Sequence, residues 1–128
     1  MPSDNEKLHD ICNTVHTIMQ LASKGLLIPA EHEARVVRKK ISVFTYGLIT
    51  ELSKQEYVNN KLDVDLAYTE YLKMGGLNKE QAAIVAKRTR DEFSDREFGQ
   101  KCLHAAENVF AQWKLGNKDI KPYLEALL

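Results

Sequence analysis

Ala34-Arg35-Val36-Val37-Arg38-Lys39-Lys40-Ile41-Ser42-Val43-Phe44-Thr45-Tyr46-Gly47-Leu48-Ile49-Thr50-Glu51-Leu52 is the stretch whose reading decides the fold. Its middle, Ile41 to Tyr46, is rich in β-branched and aromatic residues and is the one place where a strand is conceivable. The surrounding spacing argues otherwise. Ala34, Val37, Ile41, Phe44, Leu48 and Leu52 recur in steps of three and four, the period of one helix face. Val36, Val43 and Ile49 widen that stripe. The pattern predicts one long helix from about Ala30 to Tyr57, opened by Pro29, whose missing N–H costs nothing at a first helical position. Glu31 and Glu33 in the first turn complement the helix dipole. Gly47 inside it costs roughly 1 kcal/mol against alanine, and a close helix crossing is the simplest reason for it.

The rest of the chain reads as helix on both sides of this spine. Ser3 and Glu6 have capping-box spacing and open a helix from about Asp4 to Ser23. Leu8, Ile11, Cys12, Val15, Ile18, Met19 and Ala22 form its apolar face, and Lys24-Gly25 stops it. After the spine, Asn59-Asn60 reads as a break. Asp63 or Asp65 caps a short helix through about Lys73, with Ala67, Tyr68, Tyr71 and Leu72 inward, and Gly75-Gly76 ends it. Asn78 and Gln81 cap a helix through about Glu92. Ser94 and Glu97 then read as a second capping box, opening a helix with Phe98, Cys102, Ala106, Val109, Phe110 and Trp113 on one face. Leu115-Gly116-Asn117 stops that helix, and a last short one runs from Asp119 to Leu127, with Pro122 in its first turn. The fold class is therefore all-α, a single-domain bundle of five or six helices spanning residues 1–128, with one long central helix.

Composition narrows the function classes. The chain has 128 residues, 44% hydrophobic and 28% charged, with 18 basic and 18 acidic residues balancing to zero net charge. Length and composition suit one globular domain. Neutrality disfavours a dedicated nucleic-acid binder, which is usually basic, and gives no attraction to an anionic membrane. No apolar run approaches the ~20 residues of a membrane helix. The start, Met1 to Glu6, lacks the basic and apolar regions of a secretory signal. With Cys12 and Cys102 forming no CxxC pair, the expectation is a cytoplasmic protein with free thiols.

Several constellations carry chemistry in outline. His9, Cys12 and His16 share a helix face at steps of three and four, a comb of zinc or copper ligands that still needs a fourth group. Cys12 also belongs to the core stripe, which is its simpler role. The segment from Asp65 to Asp91 has the outline of a helix-turn-helix, with Lys79, Gln81, Lys87, Arg88 and Arg90 on its second helix as candidate nucleic-acid contacts. Arg35, Arg38, Lys39 and Lys40 form a second basic cluster. Pairs such as Glu31 with Arg35, and Lys87 and Arg88 with Asp91 and Glu92, fit ordinary solvated faces.

No catalytic residue is assigned. Asp63 and Asp65 read as caps, Asp91, Glu92 and Asp95 lie around a helix junction, Gly75-Gly76 lacks phosphate-loop spacing, and no G-x-S-x-G element occurs. No cofactor is implied. Phe110, Trp113, Leu124, Leu127 and Leu128 gather at the C-terminal end as a candidate partner interface. The last helix is too short to stand alone and docks either on its own bundle or on a second copy of the chain; an apolar terminus beside aromatics favours the dimer. The leading expectation is a small non-enzymatic interaction or regulatory protein that binds another protein or itself. A nucleic-acid-binding regulator and a metal-binding helical protein are the other two readings.

Overall fold

The computed structural model describes residues 4–26, 31–56 and 64–128. Among them are six helices and no strand: α1 (Asp4–Ser23), α2 (Glu31–Glu56), α3 (Val64–Met74), α4 (Lys79–Phe93), α5 (Arg96–Lys114) and α6 (Lys121–Glu125). Residues 41–46 are helical, so the 3.6-residue period prevails over their β preference. The expected roles of Ser3, Pro29, Asn59, Asn60 and Asp63 fall outside the described residues.

The spine is α2, which packs against α1, α3, α4 and α5, most extensively α5. Phe44, Leu48 and Ile49 are completely buried along it, with Val43 and Leu52 close behind. Ile11, Val15, Ile18 and Ala22 of α1 and Cys102, Ala106, Val109 and Phe110 of α5 complete the core. One member of the expected stripe does not join: Val36 is 51% exposed. Helical spacing puts it on the same side as Lys39 and Lys40, facing outward. Gly47 has the role its position suggested. A Cβ there would lie 3.3 Å from the Cys102 carbonyl oxygen, so its absence lets α2 and α5 cross closely.

The helix ends follow side-chain chemistry, with one correction. Asn78 Oδ1 accepts from the Gln81 N–H at 2.8 Å, and Gln81 Oε1 accepts from the Asn78 N–H at 3.2 Å, completing the expected capping box. The cap of α5 is Asp95, not Ser94. Asp95 Oδ1 accepts from the N–H groups of Glu97 and Phe98, while Ser94 closes α4. A carboxylate one residue later satisfies two orphan donors where a hydroxyl satisfies one. After α3, Gly76 adopts φ +106° and the Leu77 N–H reaches back to the Leu72 carbonyl, closing the helix in left-handed backbone.

The last helix is shorter than its sequence suggested, at five residues. Asn117 Oδ1 holds the Asp119 N–H in a turn, which delays the start until Lys121. Ile120 and Leu124, both fully buried, anchor α6 to α1 and α5 of its own bundle.

Candidate functional site

A groove of about 680 Å³ lies between the N-terminal half of α2 and the C-terminal half of α4. Arg35, Lys39, Ser42 and Val43 line it from α2; Val85, Arg88, Thr89, Asp91 and Glu92 line it from α4. On each helix these positions lie three or four residues apart, on adjoining rows of one face. Val43 and Thr89 are buried and form the floor, while Arg35, Lys39 and Arg88 are exposed on the walls.

A polar framework sets the positions of these helices. The Tyr46 hydroxyl donates to Asp65 Oδ1 at 2.6 Å, and Arg90 Nη1 donates to Asp65 Oδ2 at 2.7 Å, so one carboxylate ties α2, α3 and α4 together. Tyr68 is buried between the same helices, near Ser42 and Thr89, and its pKa is raised by burial. The Tyr46 and Phe93 rings pack with centroids 4.9 Å apart. Across the groove mouth, Lys39 Nζ meets Glu92 Oε1 at 2.7 Å.

This arrangement redistributes the basic candidates. Arg35 and Lys39, from one cluster in the sequence, meet Arg88, from the other, in a single groove. Arg90 is committed to Asp65, whose hydrogen bond and charge raise the guanidinium pKa further. Gln81 is spent on the α4 cap. Lys79 and Lys87 are exposed on α4. Glu92 does not take up the in-helix pairing with Arg88 but turns to Lys39 on α2. Sequence reasoning treated Asp91 and Glu92 only as neighbours of basic residues on a solvated face. Their place in the groove depends on which face of α4 meets α2, and no local signal carries that.

Of the metal candidates, His9 and Cys12 line one groove with Glu70, and His16 does not join them. Cys12 is buried and its thiol donates to the Ala67 carbonyl at 3.6 Å, while His9 and His16 are exposed. Burial, and secondarily the nearby Glu70 carboxylate, push the Cys12 thiol up to about 11. Among the described residues no group of three His, Cys, Asp or Glu side chains is placed to hold a metal ion. Burial likewise raises Cys102 to about 12.

The two thiols support a prediction. A buried acid with a raised pKa keeps its proton in the folded state while the unfolded chain loses it. The folding advantage is therefore full below pH 9, the ordinary thiol value, and is lost as pH rises through 11 and 12. Urea midpoints should fall progressively above pH 9, and native protein at pH 8 should react with iodoacetamide only as fast as it unfolds. Rapid labelling of Cys12 or Cys102 in native protein would contradict this placement.

At the C-terminal end, Phe110 and Leu124 are sealed in the chain's own core, Trp113 and Leu127 are half-buried, and Leu128 is 37% exposed. The candidate interface there thus loses its two central members to α5 and α6 packing, although neighbouring Leu115 is 79% exposed. Among the described residues, no helix is long and apolar enough to cross a membrane. Compared with protein-family models, curated proteins and solved structures, the chain shows no match.

Proposed function

We propose that the chain is a small non-enzymatic interaction protein whose α2–α4 groove docks an acidic, partly apolar segment of another protein. The observation that carries this reading is the convergence of Arg35, Lys39 and Arg88, from two distant stretches of sequence, on one groove. Apolar surface accompanies the charge. Val43 and Val85 line the groove, and Val36 and Ile84, 51% and 54% exposed, lie one turn along the same helices from Lys39 and Arg88. Cations beside exposed valine and isoleucine complement a segment that carries both carboxylates and apolar side chains.

A phosphate backbone suits the groove less well. Asp91 and Glu92 stand in its lining, Arg90 is withdrawn to Asp65, and the chain as a whole is neutral. The Thr89 hydroxyl on the groove floor donates to the Val85 carbonyl of its own helix at 2.8 Å, which favours binding over catalysis. A different protein is favoured over a second copy because Phe110 and Leu124 are already consumed in the core. Two buried, unpaired cysteines support a reducing, cytoplasmic setting.

The test uses a fluorescein-labelled helical peptide with a leucine stripe flanked by glutamates, and the same peptide with glutamines. The glutamate peptide should bind the intact protein more tightly. Arg35→Glu with Arg88→Glu should weaken it about tenfold, the combined effect of two rim charges, without lowering the melting temperature. Equal affinity for the two peptides, or full affinity in the double variant, would overturn the reading. Tighter binding of a single-stranded oligonucleotide at low salt would replace it with nucleic-acid recognition.

A further inference from the structure

The ion pair across the groove mouth has a geometry that bears on how docking occurs, given that the groove docks acidic segments as proposed above. Lys39 and Glu92 come from different helices and meet at 2.7 Å, with their side chains 58% and 44% exposed. Each is thus reachable from solvent, and the pair can open by side-chain rotation alone. The helices themselves stay in place, because the tilted contact of the Tyr46 and Phe93 rings and the bonds of Asp65 to Tyr46 and Arg90 fix α4 against α2. Of the cations on the last two turns of α4, Arg90 already has Asp65 as its partner. Lys39 is the groove cation held by a carboxylate from the groove's own lining.

We infer that Glu92 is an internal competitor: in the free protein it occupies the seat on Lys39 that a carboxylate of the docking partner takes. Docking exchanges one carboxylate for another at the Lys39 ammonium, and the released Glu92 turns to solvent. An exposed ion pair is weak, so a partner carboxylate backed by apolar contacts to Val36 and Ile84 displaces it readily. The same pair still subtracts from the affinity, because its opening is part of every binding event. Glu92 thereby sets how tightly an acidic segment is held.

The experiment titrates the glutamate peptide into the wild-type chain, Glu92→Gln, Lys39→Met and the double variant. Glu92→Gln should tighten binding about two- to fivefold, the range of one surface ion pair. In the Lys39→Met background the same substitution should change nothing, because the seat it competes for is gone. Equal tightening in both backgrounds would mean that Glu92 acts through net charge alone, and no tightening in either would mean that it does not compete; both results overturn the inference while the docking reading stands. Absence of peptide binding to all four proteins removes the docking reading and this inference together. Binding by Glu92→Gln with none by the wild-type chain would support competition at its strongest. Unchanged thermal unfolding of the variants separates these outcomes from misfolding.

Discussion

Leu48→Ala lowers the stability of this protein by about 2–5 kcal/mol, the range for deleting a fully buried leucine side chain. Leu48 has no exposed surface and stands in the middle part of α2, the helix that packs against α1, α3, α4 and α5. The substitution removes apolar contacts and leaves a void that neighbouring helices cannot readily collapse to fill, since they are already pinned at the Gly47 crossing and through Asp65. A domain of this size has only ~5–15 kcal/mol in total, so the urea midpoint should move by a large fraction of its value. Leu115→Ala is the matched control. Leu115 is 79% exposed, and its truncation should leave the midpoint essentially in place. A loss below about 1 kcal/mol at Leu48 would show that α2 is not the spine of the core.

Gly99→Ala destabilises the chain although alanine is the better helix former. Gly99 is buried in the first turns of α5, and a Cβ built there overlaps the carbonyl of Phe93 at the end of α4. Backbone cannot swing aside as a side chain can, so α4 and α5 must separate. The strain belongs at the upper end of the ~1–3 kcal/mol typical of overpacking, against a helix-propensity gain of about 1 kcal/mol. Gly47→Ala sets the comparison. Its Cβ would meet the Cys102 carbonyl at 3.3 Å, a clash that a shift of tenths of an ångström relieves, and the net change should stay within about 1 kcal/mol. The two readouts for Gly99→Ala are the melting temperature and glutamate-peptide affinity, because Phe93 adjoins Glu92 and shares its turn with the groove wall. Wild-type values for both would show that the α4–α5 junction is looser than drawn.

Helix positions were legible in the sequence because their causes are local. The three-and-four spacing from Ala34 to Leu52 identifies a helix face whatever packs on it, and Asn78 with Gln81 marks a helix start from four residues alone. Where two local signals compete, the tertiary path of the chain chooses between them. Ser94 and Asp95 both suit a helix cap, and only the backbone path after α4 selects the carboxylate. Val36 widens the apolar stripe in the sequence, yet it is exposed, since it lies far round the helix from Phe44 and Leu48.

The groove was not legible, for a different reason. Arg35 and Arg88 are separated by 53 positions in the sequence, and their meeting is decided by the rotation of α4 about its axis against α2. That rotation follows from the Tyr46, Asp65 and Arg90 bonds and from the burial of Thr89 and Tyr68, all long-range contacts. The same contacts engage Arg90 with Asp65 and turn Glu92 to Lys39. Periodicity and caps, which act within a turn or two, determined an all-α chain with a long central helix. Which charges share a face, and which leucines and aromatics remain outside, only tertiary packing decided, because a helix's own sequence states which face is apolar but not which neighbour will cover it.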